Sequence, residues 1–303
     1  MTPNLEVAIG ALRMKNPVTV ASGTFGSGRE YADFVDLSKL GAVTTKGVSL
    51  NGWAGNDTPR ICETPSGMLN SIGLQNKGVA HMLEEDIPYL EDAGATVIVN
   101  VSGHSMDEYV SVIEALEEGS VDAYEVNVSC PNVDAGGMTL GCDPKSVQEL
   151  TERCRKATDR PIIVKLTPNV TDVTEIAKAA EAGGADGISL INTLLGMAVD
   201  ARTRRPKLAR VVGGLSGPAV KPVALRMVWQ CHSAVNIPIL GMGGICTAED
   251  AIEFMLCGAT AIAVGTANFI DPHTTMEVID GIEAYCMENR IADVNDLIGA
   301  LEC

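Results

Sequence analysis

The chain has 303 residues, of which 46% are hydrophobic, 4% aromatic and 31 glycine. Its formal net charge of -17 lacks the basic footprint that nucleic-acid binding requires. No apolar run approaches the roughly 20 residues of a membrane-spanning helix, and Met1-Thr2-Pro3-Asn4 does not begin a signal peptide. The nine cysteines, at 62, 130, 142, 154, 231, 246, 257, 286 and 303, include no CxxC pair, which argues against a metal or iron–sulfur site built from this chain alone. The expectation is a soluble, cytoplasmic protein with a large core, in which Cys154, Cys231, Cys257 and Cys286 are small packing residues.

In chain order, Leu5–Arg13 reads as a short hairpin. β-rich runs then follow at Val18–Ser22, Ala42–Val48, Thr96–Ser102, Ala123–Ser129, Ile162–Thr167, Gly187–Asn192, Ile237–Gly241 and Ala261–Gly265. Amphipathic helical segments lie between or after them at Lys77–Ala93, Met106–Glu117, Lys145–Thr158, Thr174–Ala182, Ala219–Ser233, Ala248–Leu256 and Thr275–Glu288. Several end at glycine and turn directly into the next strand, as at Ala93-Gly94-Ala95 and Cys257-Gly258-Ala259. Eight such units predict an α/β fold, a (β/α)8 TIM barrel, with the hairpin closing its bottom. A doubly wound sheet competes less well, because no GxGxxG follows the first strand. Gly52–Gly73 reads as a long loop at the mouth, and no linker divides residues 1–303, so one domain is expected.

The C-terminal ends of barrel strands face one mouth, so their polar residues can be pooled. They are Lys46, Asn100, Asn127, Cys130, Lys165 and Asn192 with Thr193. Two lysines beside three carboxamides suit an anionic, planar, amide-rich ligand. No carboxylate enters this pool, which disfavours glycoside hydrolysis and magnesium-dependent phosphoryl transfer. Gly241-Met242-Gly243-Gly244 and Val264-Gly265-Thr266 follow the seventh and eighth strands, where backbone amides of a barrel cradle phosphate, and Gly213-Gly214-Leu215-Ser216-Gly217 can close around the same group.

A phosphate site with a lysine in the mouth permits Schiff-base lyase or aldolase chemistry at Lys165 or Lys46, or a flavin phosphate with a lysine beside the ring. Cys130 separates the two. It ends a strand, is followed by proline, and supplies the base that a hydride-removing flavin enzyme needs. Surface or helix-end positions are expected for His81, His104, His232 and His273, and Trp53 either covers the site or meets a partner.

Asn127–Asn132 (NVSCPN), Ile191-Asn192-Thr193, the two glycine motifs and Thr64–Asn76 (TPSGMLNSIGLQN) together resemble the dihydroorotate dehydrogenases over nearly the whole chain. The resemblance implies an FMN-containing barrel, one FMN per chain, that oxidises (S)-dihydroorotate to orotate in de novo pyrimidine (UMP) biosynthesis. It makes Cys130 the catalytic base at substrate carbon 5, with hydride leaving carbon 6 for the flavin. Substrate would be held by Lys46, Asn70, Ser71, Ile72, Gly73, Leu74, Asn127, Asn192 and Thr193. FMN would be held by Ser22, Lys46, Gly47, Asn100, Asn127, Lys165, Ile191, Gly217, Gly243, Gly244, Gly265 and Thr266. Gly136–Pro144 and Gly55–Arg60 are similar to the NAD-linked type, which pairs this subunit with an electron-transfer subunit carrying FAD and a [2Fe–2S] cluster, as a homodimer within a heterotetramer. The fumarate-linked homodimer is the alternative within the family. A dihydropyrimidine dehydrogenase-like barrel shares the Cys-Pro step, but with histidine where this chain has Asn132.

Overall fold

The computed structural model describes residues 2–129 and 140–302. Eight parallel strands form one sheet: Val18–Val20, Val43–Thr44, Val97–Val101, Ala123–Asn127, Ile162–Lys165, Gly187–Leu190, Ile239–Met242 and Ala261–Val264. From the second to the eighth each pairs with its sequence neighbour, and the eighth returns to the first with Ile262 opposite Val18 and Val264 opposite Val20. The remaining seam lies between the first and second strands. There Gly41 N donates to Val18 O at 2.9 Å and the hydroxyls of Thr19 and Thr44 meet at 3.1 Å, so the sheet is nearly closed as a barrel. The strands are buried throughout their length and mainly apolar, as expected for a parallel sheet covered on both faces, with single polar residues such as Asn100 and Lys165 set among them.

The surrounding helices start where the sequence provides caps. Ser105, Asp143 and Asp172 each accept a backbone N–H of the first turn, and Thr247 forms a reciprocal capping box with Asp250. Each such cap stabilises its helix by about 1 kcal/mol. The second crossover is less regular than its periodicity suggests: Val79–His81 passes through a π-helical stretch at Met82–Asp86 into Ile87–Asp92. Among the described residues no helix is long and apolar enough to cross a membrane.

The expected hairpin is present as Val7–Ile9 and Leu12–Met14. It caps the barrel floor: Ile9 and Met14 are buried, and Ile9 rests against the start of the sixth strand, where a Cβ on Gly187 would come within 2.6 Å of its Cγ2.

The expected long loop at Gly52–Gly73 is instead largely β structure. Asn51–Trp53 pairs with Asn76–Gly78, and Ile61–Thr64 and Gly67–Asn70 form two strands of a four-stranded antiparallel sheet completed by Val212–Ser216 and Leu194–Met197. Half of that sheet's hydrogen-bonding partners come from the insertion after the sixth barrel strand, more than 120 residues away. Local turn residues such as Gly55, Pro59, Pro65 and Gly67 are visible in the sequence, whereas the pairing partner is not.

Candidate active site

The mouth is built from short polar endings on apolar strands. Along Ala123–Asn127 the two-residue period places Ala123, Glu125 and Asn127 on one face, and the same period carries Asn100 and Lys165 inward from their strands. Register brings them together: Glu125 lies opposite Asn100, Asn127 opposite Lys165, and Lys165 opposite Ser189.

Lys165 is 4% exposed and donates to Ser22 Oγ at 3.2 Å. Its ammonium also lies 3.5 Å from Glu125 Oε2, so a carboxylate does belong to the barrel interior, contrary to the pool read from strand ends. Glu125 escaped that pool because it sits two residues before the strand's last residue. Its inward direction is nonetheless given by the alternation that places Asn127. Glu125 also accepts from Asn100 Nδ2 at 2.6 Å and from Ser189 Oγ at 2.7 Å.

Lys46 follows the second strand, is half-buried, and is held by its backbone N–H donating to Gly26 O at 2.8 Å. No described carboxylate lies within ion-pair distance of it. Burial, reinforced by the nearby Lys165 charge, pulls its pKa below the ordinary lysine value. Next to it, a Cβ on Gly47 would come within 2.7 Å of Asn100 Oδ1 and 3.3 Å of Ser102 Oγ. Both of those oxygens are buried with no hydrogen-bond partner among the described residues.

A second cluster spans three strand ends. Asn127 Oδ1 accepts from Ser129 N at 3.2 Å and from Ser129 Oγ at 2.5 Å, while Tyr109 donates its hydroxyl to Asn127 O at 2.7 Å. Asn192 Nδ2 donates to Ser129 Oγ, and Asn192 Oδ1 accepts from Thr193 N at 2.7 Å. Ser129 joins two residues that the sequence singled out, yet was not itself singled out. Thr193 packs against the Gly214 backbone, to whose carbonyl Asn70 Nδ2 donates at 3.4 Å. Asn70 is thereby brought to Asn192 and Thr193 by the antiparallel sheet. Ser71, Ile72, Gly73 and Leu74 continue from it as a connection held by Asn56, which donates its N–H to Ile72 O at 3.0 Å and its Nδ2 to Ser71 O at 2.9 Å.

The glycine motifs converge as well. Gly244, at φ +85°, lies against Gly217: a Cβ on Gly244 would sit 2.9 Å from Gly217 O and 2.8 Å from Lys221 Cβ. Gly243 approaches Ile191 in the same way, at 3.1 Å from its Cγ1. Thr266 Oγ1 donates to Ser216 Oγ at 2.7 Å, and Gly265 faces Ala21. This crowded, side-chain-free backbone with a hydroxyl at its edge fits a phosphate, and the orphaned acceptors by Gly47 fit the N–H groups of a heteroaromatic ring.

Cys130, Pro131 and Asn132 lie outside the described residues, as do Gly136–Thr139 of the motif ending at Pro144. Ser129, the last described residue before Cys130, lies in the Asn127–Asn192 cluster. Among the histidines, His104 stacks on Trp53 with ring centroids 4.0 Å apart, and His232 ends its helix against Gly258 and Gly299.

A barrel whose mouth gathers a glycine cradle, lysines and carboxamides is the architecture of a phosphate-binding barrel enzyme, and the family that matches it is one of flavin-dependent oxidoreductases. The family model described as dihydroorotate dehydrogenase matches residues 4–286. The chain is 58% identical over 298 residues to "Dihydroorotate dehydrogenase B (NAD(+)), catalytic subunit" of Alkaliphilus oremlandii, covering 98% of this chain and 99% of that protein. Proteins of the same description from Lachnoclostridium phytofermentans and Bacteroides fragilis are 57% and 54% identical, each over 99% of this chain and at least 99% of the relative. The chain belongs to the dihydroorotate dehydrogenase family.

Proposed function

We propose that this chain, as one domain over residues 1–303, oxidises (S)-dihydroorotate to orotate with FMN as its flavin. Electrons then pass to NAD through a partner subunit carrying FAD and a [2Fe–2S] cluster. The observation that carries the reading is the meeting, at one barrel mouth, of the Asn127–Ser129–Asn192 cluster, two lysines and the Gly217–Gly244 cradle. The NAD-linked assignment draws on the printed description of the relatives, "Dihydroorotate dehydrogenase B (NAD(+)), catalytic subunit", and a subunit so described works with another. A cytoplasmic homodimer within a heterotetramer completes the proposal.

When bound, FMN would supply an acceptor for the hydride of substrate carbon 6. The chain's own residues do the rest. Gly217, Gly243, Gly244, Gly265 and Thr266 hold the phosphate through backbone amides and a hydroxyl. Ser22, Lys46, Gly47, Asn100, Asn127, Lys165 and Ile191 surround the ring. Asn70 to Leu74, Asn127, Asn192 and Thr193 bind the substrate's amide edges, because Ser129 and Thr193 N consume the carbonyl oxygens of Asn127 and Asn192 inside the cluster. Lys46 supplies positive charge to the substrate carboxylate. Cys130 takes the proton from carbon 5.

Anaerobic addition of dihydroorotate to the purified yellow protein tests this. The expected result is bleaching of the flavin absorbance with stoichiometric orotate. Cys130→Ala should stay yellow and bleach about 10²- to 10⁴-fold more slowly, the worth of a positioned general base. Unaltered bleaching in that variant would remove Cys130 from the mechanism.

A further inference from the structure

The polar network beneath the mouth contains one group with no role in the reading above. Glu125 is wholly buried, and an isolated ionised carboxylate there would cost several kcal/mol to desolvate. Its compensation is visible: Lys165 Nζ at 3.5 Å and neutral donors from Asn100 at 2.6 Å and Ser189 at 2.7 Å. Two consequences follow from elementary chemistry. The Glu125–Lys165 pair is electrically balanced, so of the two lysines at the mouth only Lys46 keeps a charge unpaired among the described residues. A carboxylate can only accept hydrogen bonds, so it fixes the Asn100 carboxamide with Nδ2 toward Glu125. Asn100 Oδ1, buried and partnerless, is thereby left beside Gly47.

We propose that Glu125 is a positioning residue for the flavin: it neutralises Lys165 and turns Asn100 so that an acceptor, rather than a donor, faces the ring. Both effects oppose the build-up of negative charge on a reduced flavin. The reduced cofactor therefore gives up its electrons more readily than it would above two unbalanced ammonium groups. This rests on the flavin reading of the same site.

The test is the two-electron midpoint potential of the flavin, measured by dye equilibration on the purified holoenzyme with any subunit that accompanies it. Glu125→Gln should raise the potential by about 30 mV or more, equivalent to a tenfold shift in the reduction equilibrium. The double variant Glu125→Gln/Lys165→Gln should return it toward the wild-type value, since both charges are then gone. Ser189→Ala, which removes one hydrogen bond and keeps both charges, should leave the potential near the wild-type value, and Glu125→Ala, which removes the charge, is available if Glu125→Gln loses its flavin. An unmoved potential in every flavin-retaining Glu125 variant overturns the proposal, as does a Ser189→Ala rise equal to that of Glu125→Gln or a double variant that stays at the raised value. A wild-type protein that carries no flavin would defeat the cofactor reading instead.

Discussion

Asn192 donates its side-chain amide to the hydroxyl of Ser129, and that same hydroxyl donates to Asn127 Oδ1. One small side chain thus sets the orientation of two carboxamides carried by strands that are neighbours of Ile162–Lys165 on opposite sides. With its Oδ1 used by the hydroxyl and backbone N–H of Ser129, Asn127 has its two amide hydrogens without an acceptor among the described residues, available to a ligand. Ser129 also directly precedes the proposed base in the sequence.

Ser129→Ala should therefore act on binding rather than on folding. Losing one shared hydroxyl forfeits about 1–1.5 kcal/mol of orientation, which corresponds to roughly tenfold weaker orotate affinity. Titration of the flavin spectrum with orotate measures this directly. Unchanged affinity would mean that the two asparagines hold their orientation without the serine.

Lys46 should make orotate binding dependent on pH. Burial first, and the Lys165 charge second, lower its pKa from the lysine value of 10.5. Its ammonium is thus lost at a lower pH in the folded protein than in the unfolded chain. Orotate affinity should weaken as pH rises through that lowered pKa, still below 10.5, and Lys46→Gln should be weak throughout and lack that step. The sign for stability is opposite. At neutral pH the buried charge is a cost to folding, and between the lowered pKa and 10.5 the unfolded state binds more protons, so this contribution becomes less unfavourable with rising pH. Equilibrium denaturation of Lys46→Gln against wild type should show the difference shrinking over that window.

The buried thiols should be silent in the native protein. Burial pushes Cys154 and Cys231 each up to about 12, far from the range in which thiolate forms at neutral pH. Alkylation with iodoacetamide at pH 8, followed by peptide mass spectrometry, should modify neither until denaturant is added. Labelling of either at native-like rates would show that its helix opens.

Much of the molecule was legible from sequence because buried parallel strands are short, mainly apolar runs, and because several of them end in polar residues that face one mouth. The eight strands, the floor hairpin, the glycine cradle and the Lys46, Asn127, Lys165 and Asn192 set all follow from that local pattern. What the sequence could not decide depends on contacts between distant segments. Gly67–Asn70 becomes a strand only because Val212–Ser216 pairs with it, and the same pairing brings Asn70 to Gly214 and Thr193. Glu125 is an acidic residue like any other until register sets it opposite Asn100 and beside Lys165. Local periodicity determined which way these side chains point; only the closed sheet, by excluding water and fixing neighbours, decided that a carboxylate could be buried there and which cation it would balance.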